Sequence, residues 1–297
     1  MIAGGFNDAE NPPFQVFRPA QQRVPFIFNA PHSGRVYPDE LRKTSQLTSQ
    51  QLRRSEDVLV DQLFECVVQI GAPLLFARFP RAWLDVNREP YELDPKLFAE
   101  RLPGHANIRS MRVSGGLGTV PRLVAENLEI YSEKPTLNDA LNRIETVYRP
   151  YHEALRKLMA QSVVTFGHAV LVDCHSMPSR GARNESTKRP DIIIGDRYGT
   201  SCNGEISRSL IRRFADHGYT VTRNKPYAGG FITEHYGRPL KGLHAIQIEI
   251  NRALYLDETT LRPTAGFDAL REDIGSIMAH FVSLPDSRFE AGPIAAE

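Results

Sequence analysis

Ala169-Val-Leu-Val-Asp-Cys-His175-Ser-Met177 is an apolar run that ends in a histidine followed by a serine. Val24-Pro-Phe-Ile-Phe-Asn-Ala-Pro-His32-Ser-Gly34 ends in the same way. Each run reads as a buried strand that delivers its histidine just past its carboxyl end, where open α/β sheets hold ligands and catalytic groups. Two such histidines on neighbouring strands could share a metal ion. A single histidine after a strand is more often a hydrogen-bonded structural residue, so the pairing carries the signal.

Around these two strands the pattern alternates. Ser55 is placed to cap a helix whose apolar positions Leu59, Leu63, Val67 and Ile70 run to Gly71, and a strand is expected at Pro73 to Ala77. Trp83-Leu-Asp85-Val-Asn87-Arg88 reads as a short strand, and Glu89 to Glu133, with Gly104, Gly115, Gly116 and Gly118, as a long irregular region of the kind that shapes a pocket. Thr136 with Asp139 resembles a helix cap, and Leu137, Leu141, Ile144, Tyr148, Tyr151, Leu155 and Leu158 form a helical stripe that Pro150 should kink. Further strands are expected at Asp191 to Ile194, Tyr219 to Thr222 and His244 to Arg252, and helices over Ser201 to His217 and Phe267 to Phe281. Such alternation predicts an α/β fold with a mixed, mostly parallel sheet flanked by helices. With no repeat or linker, residues 1–297 are read as one domain with its core over about 24–283; the proline-bearing lead-in and the tail from Pro285 are peripheral.

The formal charge is +1 over 297 residues, which implies no nucleic-acid partner. No run reaches the roughly 20 apolar residues of a membrane span, and the N-terminal stretch lacks a basic start followed by an apolar core. A soluble, cytoplasmic protein is expected. Cys66, Cys174 and Cys202 are too few and too scattered for a disulfide framework or a thiolate zinc site. Gly115-Gly-Leu-Gly118 lacks the strand-to-helix turn of a dinucleotide fingerprint, and neither serine after a histidine sits in a Gly-x-Ser-x-Gly elbow.

A hydrolytic zinc ion takes three protein ligands from histidines and carboxylates and keeps a fourth position for water. Glu56 and Asp57, in the first turn of the expected helix, are both candidates for the acid, and spacing does not separate them. Asp173 could accept a hydrogen bond from a ligand histidine or be an ordinary strand-end acid. Asn87 and Arg88 place an amide beside a guanidinium, a pair suited to gripping a carboxylate. Glu249, on the same face as Gln247 in an apolar run, needs a partner or a purpose: an ion pair with Arg252, or proton transfer beside a metal.

These residues lie in blocks whose order resembles the N-formylglutamate amidohydrolase family. The blocks are Pro31-His-Ser-Gly34, Asp57 with Val60-Asp-Gln-Leu-Phe64, Asp85-Val-Asn-Arg88, Tyr148-Arg-Pro-Tyr-His152, Asp173-Cys-His-Ser-Met177, Asn224-Lys-Pro-Tyr-Ala-Gly-Gly230 and Gln247-Ile-Glu-Ile-Asn-Arg252 followed by Tyr255. The resemblance implies a fold like the zinc carboxypeptidases and a zinc ion on His32, Asp57 and His175. It also implies substrate carboxylate binding by Asn87 and Arg88, and proton transfer by Glu249. The implied reaction hydrolyses a small anionic N-acyl amino acid, N-formyl-L-glutamate to formate and L-glutamate, as in histidine degradation. Arg78, Arg81, Arg109 and Arg112 lie where a second substrate carboxylate could be met. Two other readings stay open: a zinc hydrolase of a peptide terminus, cell-wall amide or other N-acyl amino acid, and a metal-free carboxylate-binding protein.

Overall fold

A computed structural model describes residues 2–7, 10–125, 127–179 and 190–283. The expected peripheral tail from Pro285 lies outside them. In chain order the strands are β1 (Phe14–Phe17), β2 (Phe26–Ala30), β3 (Leu74–Ala77), β4 (Leu123–Ala125), β5 (Leu128–Glu129), β6 (Ala169–Met177), β7 (Ile192–Gly195), β8 (Val221–Arg223), β9 (Leu243–Asn251), β10 (Leu256–Asp257) and β11 (Arg262–Pro263). The α-helices among them are α1 (Asp39–Thr44), α2 (Ser49–Leu52), α3 (Val60–Leu63), α4 (Met111–Ser114), α5 (Leu137–Arg143), α6 (Arg149–Phe166), α7 (Gly204–Asp216), α8 (Phe231–Tyr236) and α9 (Gly266–Phe281). Seven strands form one sheet in the order β1-β3-β2-β6-β9-β7-β8. None of the described helices is long and apolar enough to cross a membrane.

Backbone proximity divides the chain into two compact units, Met1–Gln15, Pro31–Asp57 and Phe76–Arg156 in one, and Val16–Ala30, Val58–Leu75 and Lys157–Glu297 in the other. The first unit packs around aromatic rings. Phe6, Phe79 and Trp83 lie 5.8–6.5 Å apart, Tyr151 stands 6.2 Å from Phe79, and the buried Arg143 guanidinium sits 5.1 Å over Trp83.

The second unit carries the sheet's centre. β2, β6 and β9 run parallel, β7 runs antiparallel to β9, and β8 parallel to β7, so the sheet is mixed and mostly parallel. β6 is buried along its whole length and β9 along nearly all of its own. Covering both faces of such strands removes the polar alternation of a half-exposed sheet, which is why their sequences read as continuous apolar runs.

Three expectations are corrected. The helix expected over 59–70 is broken: Leu59 adopts a left-handed φ of 62°, α3 ends at Leu63, and Glu65–Val68 is a 3-10 turn. Ser55 does not cap it, its hydroxyl donating instead to Leu52 O. The strand expected over Trp83–Arg88 is a run of turns, with Trp83 and Leu84 bonded back to Pro80 O. The helical stripe from Thr136 does form, with Thr136 as N-cap, but it widens into a π-turn at Ile144–Tyr148 just before Pro150.

Candidate functional site

β6 runs on to Met177, so His175 lies within the strand and not past its end. The strand period puts Asp173 and His175 on one face, and the parallel register sets Asp173 beside Asn29 and Gln247, and His175 beside Glu249. The result is two tiers. In the first, Asn29 Nδ2 donates to Asp173 Oδ1 at 2.7 Å. Each residue of the second tier leans on the one two positions before it: His175 Nε2 meets Asp173 Oδ2 at 2.8 Å, and Gln247 Nε2 donates to Glu249 Oε1 at 2.9 Å. A carboxylate can only accept, so His175 donates to Asp173 from Nε2, and Nδ1 is the nitrogen turned away from that bond. Arg252 Nε donates to Ser176 Oγ, and Glu249 is part-exposed where a buried acid was expected.

His32 is placed by turns. The Pro31-His-Ser-Gly34 turn lies so close to Phe79 that a Cβ on Gly34 would fall 1.9 Å from the Phe79 carbonyl oxygen, which explains the glycine. Asp57 N donates to His32 O at 3.0 Å, pinning the acid to the histidine by backbone. Asp57 Oδ2 then lies 3.4 Å from His32 Nδ1, and His32 Nε2 meets Asp85 Oδ1 at 2.8 Å. Asp57 precedes α3 by three residues, so it is not in a helical first turn as expected. Its neighbour Glu56 is engaged elsewhere: Tyr37 donates to its Oε1 at 2.5 Å and Arg53 Nε to its Oε2 at 3.0 Å. Burial raises the Glu56 carboxyl against the lowering effect of Tyr37 and Arg53.

Asp85 collects four donors. Oδ1 accepts from Asn87 N and His32; Oδ2 accepts from Arg81 Nε at 2.9 Å and lies 3.4 Å from Arg88 Nη2. Burial opposes its ionisation, yet Arg81, Arg88 and His32 outweigh burial and hold the carboxyl well below the usual carboxylate range. Arg88 Nε donates to Leu117 O and Nη1 to Asn87 O. Burial pulls the Arg88 guanidinium down to about 10 against the pull of Asp85, which still leaves it charged at neutral pH. The π-turn helps here: Tyr148 donates to Arg88 O at 2.6 Å and His152 Nε2 meets Val86 O at 2.8 Å, clamping the backbone that carries Asn87 and Arg88.

Of the further arginines, Arg81 is bound to Asp85 and Arg78 donates to Pro12 O. Arg112, on α4, acts electrostatically on Arg88, and Arg109 follows Asn107 in an exposed stretch. Sequence reasoning gave no role to Asp85, Asn29 or Gln247. The available signal was an acid inside the apolar Trp83-Leu-Asp85-Val86, and polar residues two places before His175 and Glu249.

Among the described residues, His32, Asp57 and His175 form a group that could hold a metal ion: all three are buried, and each offers one ligand atom within 4.8 Å of the other two. The donor chemistry fits. Two imidazoles whose second nitrogens are tied to buried aspartates, with one carboxylate, match the supported ligand sets that metal sites use.

Comparison with known proteins agrees. The family model for N-formylglutamate amidohydrolase matches residues 24–256. An N-formylglutamate deformylase of Pseudomonas putida is 29% identical over 80% of this chain and 84% of its own, and one of Pseudomonas aeruginosa is 27% identical over the same shares. The crystal structure of N-formylglutamate amidohydrolase from Ralstonia eutropha JMP134 superposes with a TM-score of 0.86 at 32% identity, covering 91% of this chain and 97% of that one.

Proposed function

The chain belongs to the N-formylglutamate amidohydrolase family, and on that premise we propose that it hydrolyses N-formyl-L-glutamate to formate and L-glutamate, using one zinc ion held by His32, Asp57 and His175. The observation that carries the metal assignment is the group of three donors with an aspartate behind each histidine. Bound there, a zinc ion supplies Lewis-acid polarisation of the formyl oxygen and lowers the pKa of a water towards about 7.

The chain's own residues supply the rest. Glu249 takes one proton from the attacking water as the new carbon–oxygen bond forms, and returns it to the nitrogen as the carbon–nitrogen bond breaks. Formate and the amine of glutamate leave, so one water is consumed per turnover. Arg88 and Asn87 bind a substrate carboxylate, with Arg88 held in place through Leu117 O and Asp85 and kept cationic. Asp85 and Asp173 hold both histidines in the tautomer that presents Nδ1. The proposed setting is the cytoplasm, in keeping with three free thiols.

Formate release from N-formylglutamate, measured before and after chelation and after zinc is restored, tests the reading. Activity is expected to vanish and return; activity that survives complete metal removal overturns the metal's role. Glu249→Gln should retain the metal and lose about 10²–10⁴-fold in kcat. Turnover near wild type would remove Glu249 from the reaction.

A further inference from the structure

Gln247 is 4% exposed and lies on β9 with Asp173 and Gly195 as its register partners. Its amide has one orientation available. Oε1 accepts the Gly230 N–H at 2.8 Å, which turns Nε2 towards Glu249, whose Oε1 it reaches at 2.9 Å. Reversing the amide would set oxygen against carboxylate and N–H against N–H, losing both bonds at once.

Gly230 is itself fixed. It ends the segment Asn224–Gly230, which is fastened to the carboxyl end of β7. Asn224 exchanges two side-chain bonds with Asp196, at 3.0 and 2.8 Å, and Arg197 N donates to Ala228 O at 2.8 Å. A Cβ at Gly195 would lie 2.8 Å from Ala228 C and Gly229 N, so the segment lies directly on the strand's backbone. Ser207 and Arg223 hold the Asp196 carboxylate in turn. A continuous set of bonds therefore runs from Asp196 through Asn224 and Gly230 to the carboxylate of Glu249.

We infer that Gln247 is a positioning residue for the proton carrier: locked by Gly230, its amide holds Glu249 Oε1 and fixes the orientation of the carboxylate. The inference rests on the reading of Glu249 given above. A part-exposed glutamate has several rotamers, and a fixed donor on one oxygen selects among them before substrate arrives. The binding of substrate, which falls to Arg88 and Asn87, is not touched.

Two substitutions test this. Gln247→Met keeps the volume and loses both bonds. Gln247→Glu keeps an acceptor for Gly230 and offers Glu249 a donor only while the two carboxyls share a proton, so it is assayed up to about pH 10, above the raised second ionisation of such a pair, against wild type at the same pH. Both should lower kcat by about tenfold or more with KM within about threefold of wild type. Should Gln247→Met fail to fold, Gln247→Glu decides alone. Wild-type kcat in Gln247→Glu would overturn the inference, leaving Gln247 as an anchor for the segment only, and so would a loss confined to KM. Glu249→Gln tells the two readings apart: if it is inactive while the Gln247 variants turn over normally, only the positioning role falls, whereas an active Glu249→Gln removes the role of Glu249 itself.

Discussion

His32 and His175 make the same bond, Nε2 to an aspartate at 2.8 Å, from two unlike supports. His175 is served by the strand that carries it. Asp173 stands two residues upstream, the pleat aligns the pair, and Asn29 on the adjacent strand steadies the acid with a neutral amide. His32 sits on a turn, and its aspartate arrives from 53 residues further along, on another turn, steadied by two arginines and a backbone N–H. Where sheet geometry does the aligning, a neutral amide on the next strand is part of the support. Where it does not, charge must compensate for the buried carboxylate.

The largest expected effect tests whether the two supports serve one purpose. His32→Ala and His175→Ala should each reduce bound metal, measured by elemental analysis, and formate release to the level of chelated protein. A full metal complement in either variant would separate the two histidines. Next, Arg88 belongs to the turn-built support alone. Arg88→Ala should lower kcat/KM for N-formylglutamate by about 100-fold, the loss of charge-assisted bonds to a carboxylate; wild-type efficiency would take it out of the substrate's reach.

The aspartates divide more finely. Asp85→Asn and Asp173→Asn should each weaken metal binding by about 10–100-fold in a competition titration. Only Asp85→Asn also removes the counter-charge of Arg81 and Arg88, so it should lower the Tm of chelated protein more than Asp173→Asn does. Equal Tm losses would erase the distinction drawn between strand and turn. The smallest effect lies at Asp196. Burial raises its carboxyl, but the bonds from Arg223, Ser207 and Asn224 outweigh burial and hold it below its ordinary value. Its stabilisation is therefore present above the unfolded value of about 4 and lost as pH falls through the lower folded value. Asp196→Asn should cost a few degrees of Tm at about pH 7, and the gap to wild type should narrow as pH falls below the ordinary carboxylate range and through the lower folded value, where the wild-type carboxyl takes up its proton.

The same contrast governs what the sequence reveals. β6 and β9 are legible because burial on both faces writes them as long apolar runs, and Gln247 and Glu249 share a face by the strand period alone. Alternation of strands and helices likewise suffices for the mixed, mostly parallel sheet. Asp85 is not legible as the partner of His32, because nothing local joins a turn at residue 85 to a turn at residue 32. The helix expected over 59–70 fails for a similar reason: its apolar spacing is helical, but Leu59 takes a left-handed turn that spacing does not record. Between Glu56 and Asp57, only the fold shows that Tyr37 and Arg53 occupy the first while backbone ties the second to His32.

Asn29 and Asp173, the pair that joins the first tier across β2 and β6, are 144 residues apart in the chain. A ribosome adding about 5–20 residues per second makes the second of them roughly 7–30 s after the first. His32 and Asp57 therefore leave the ribosome long before His175 exists. Until then the nascent chain offers a passing cation only two of the three donors, and loading of the complete site awaits the second half of synthesis.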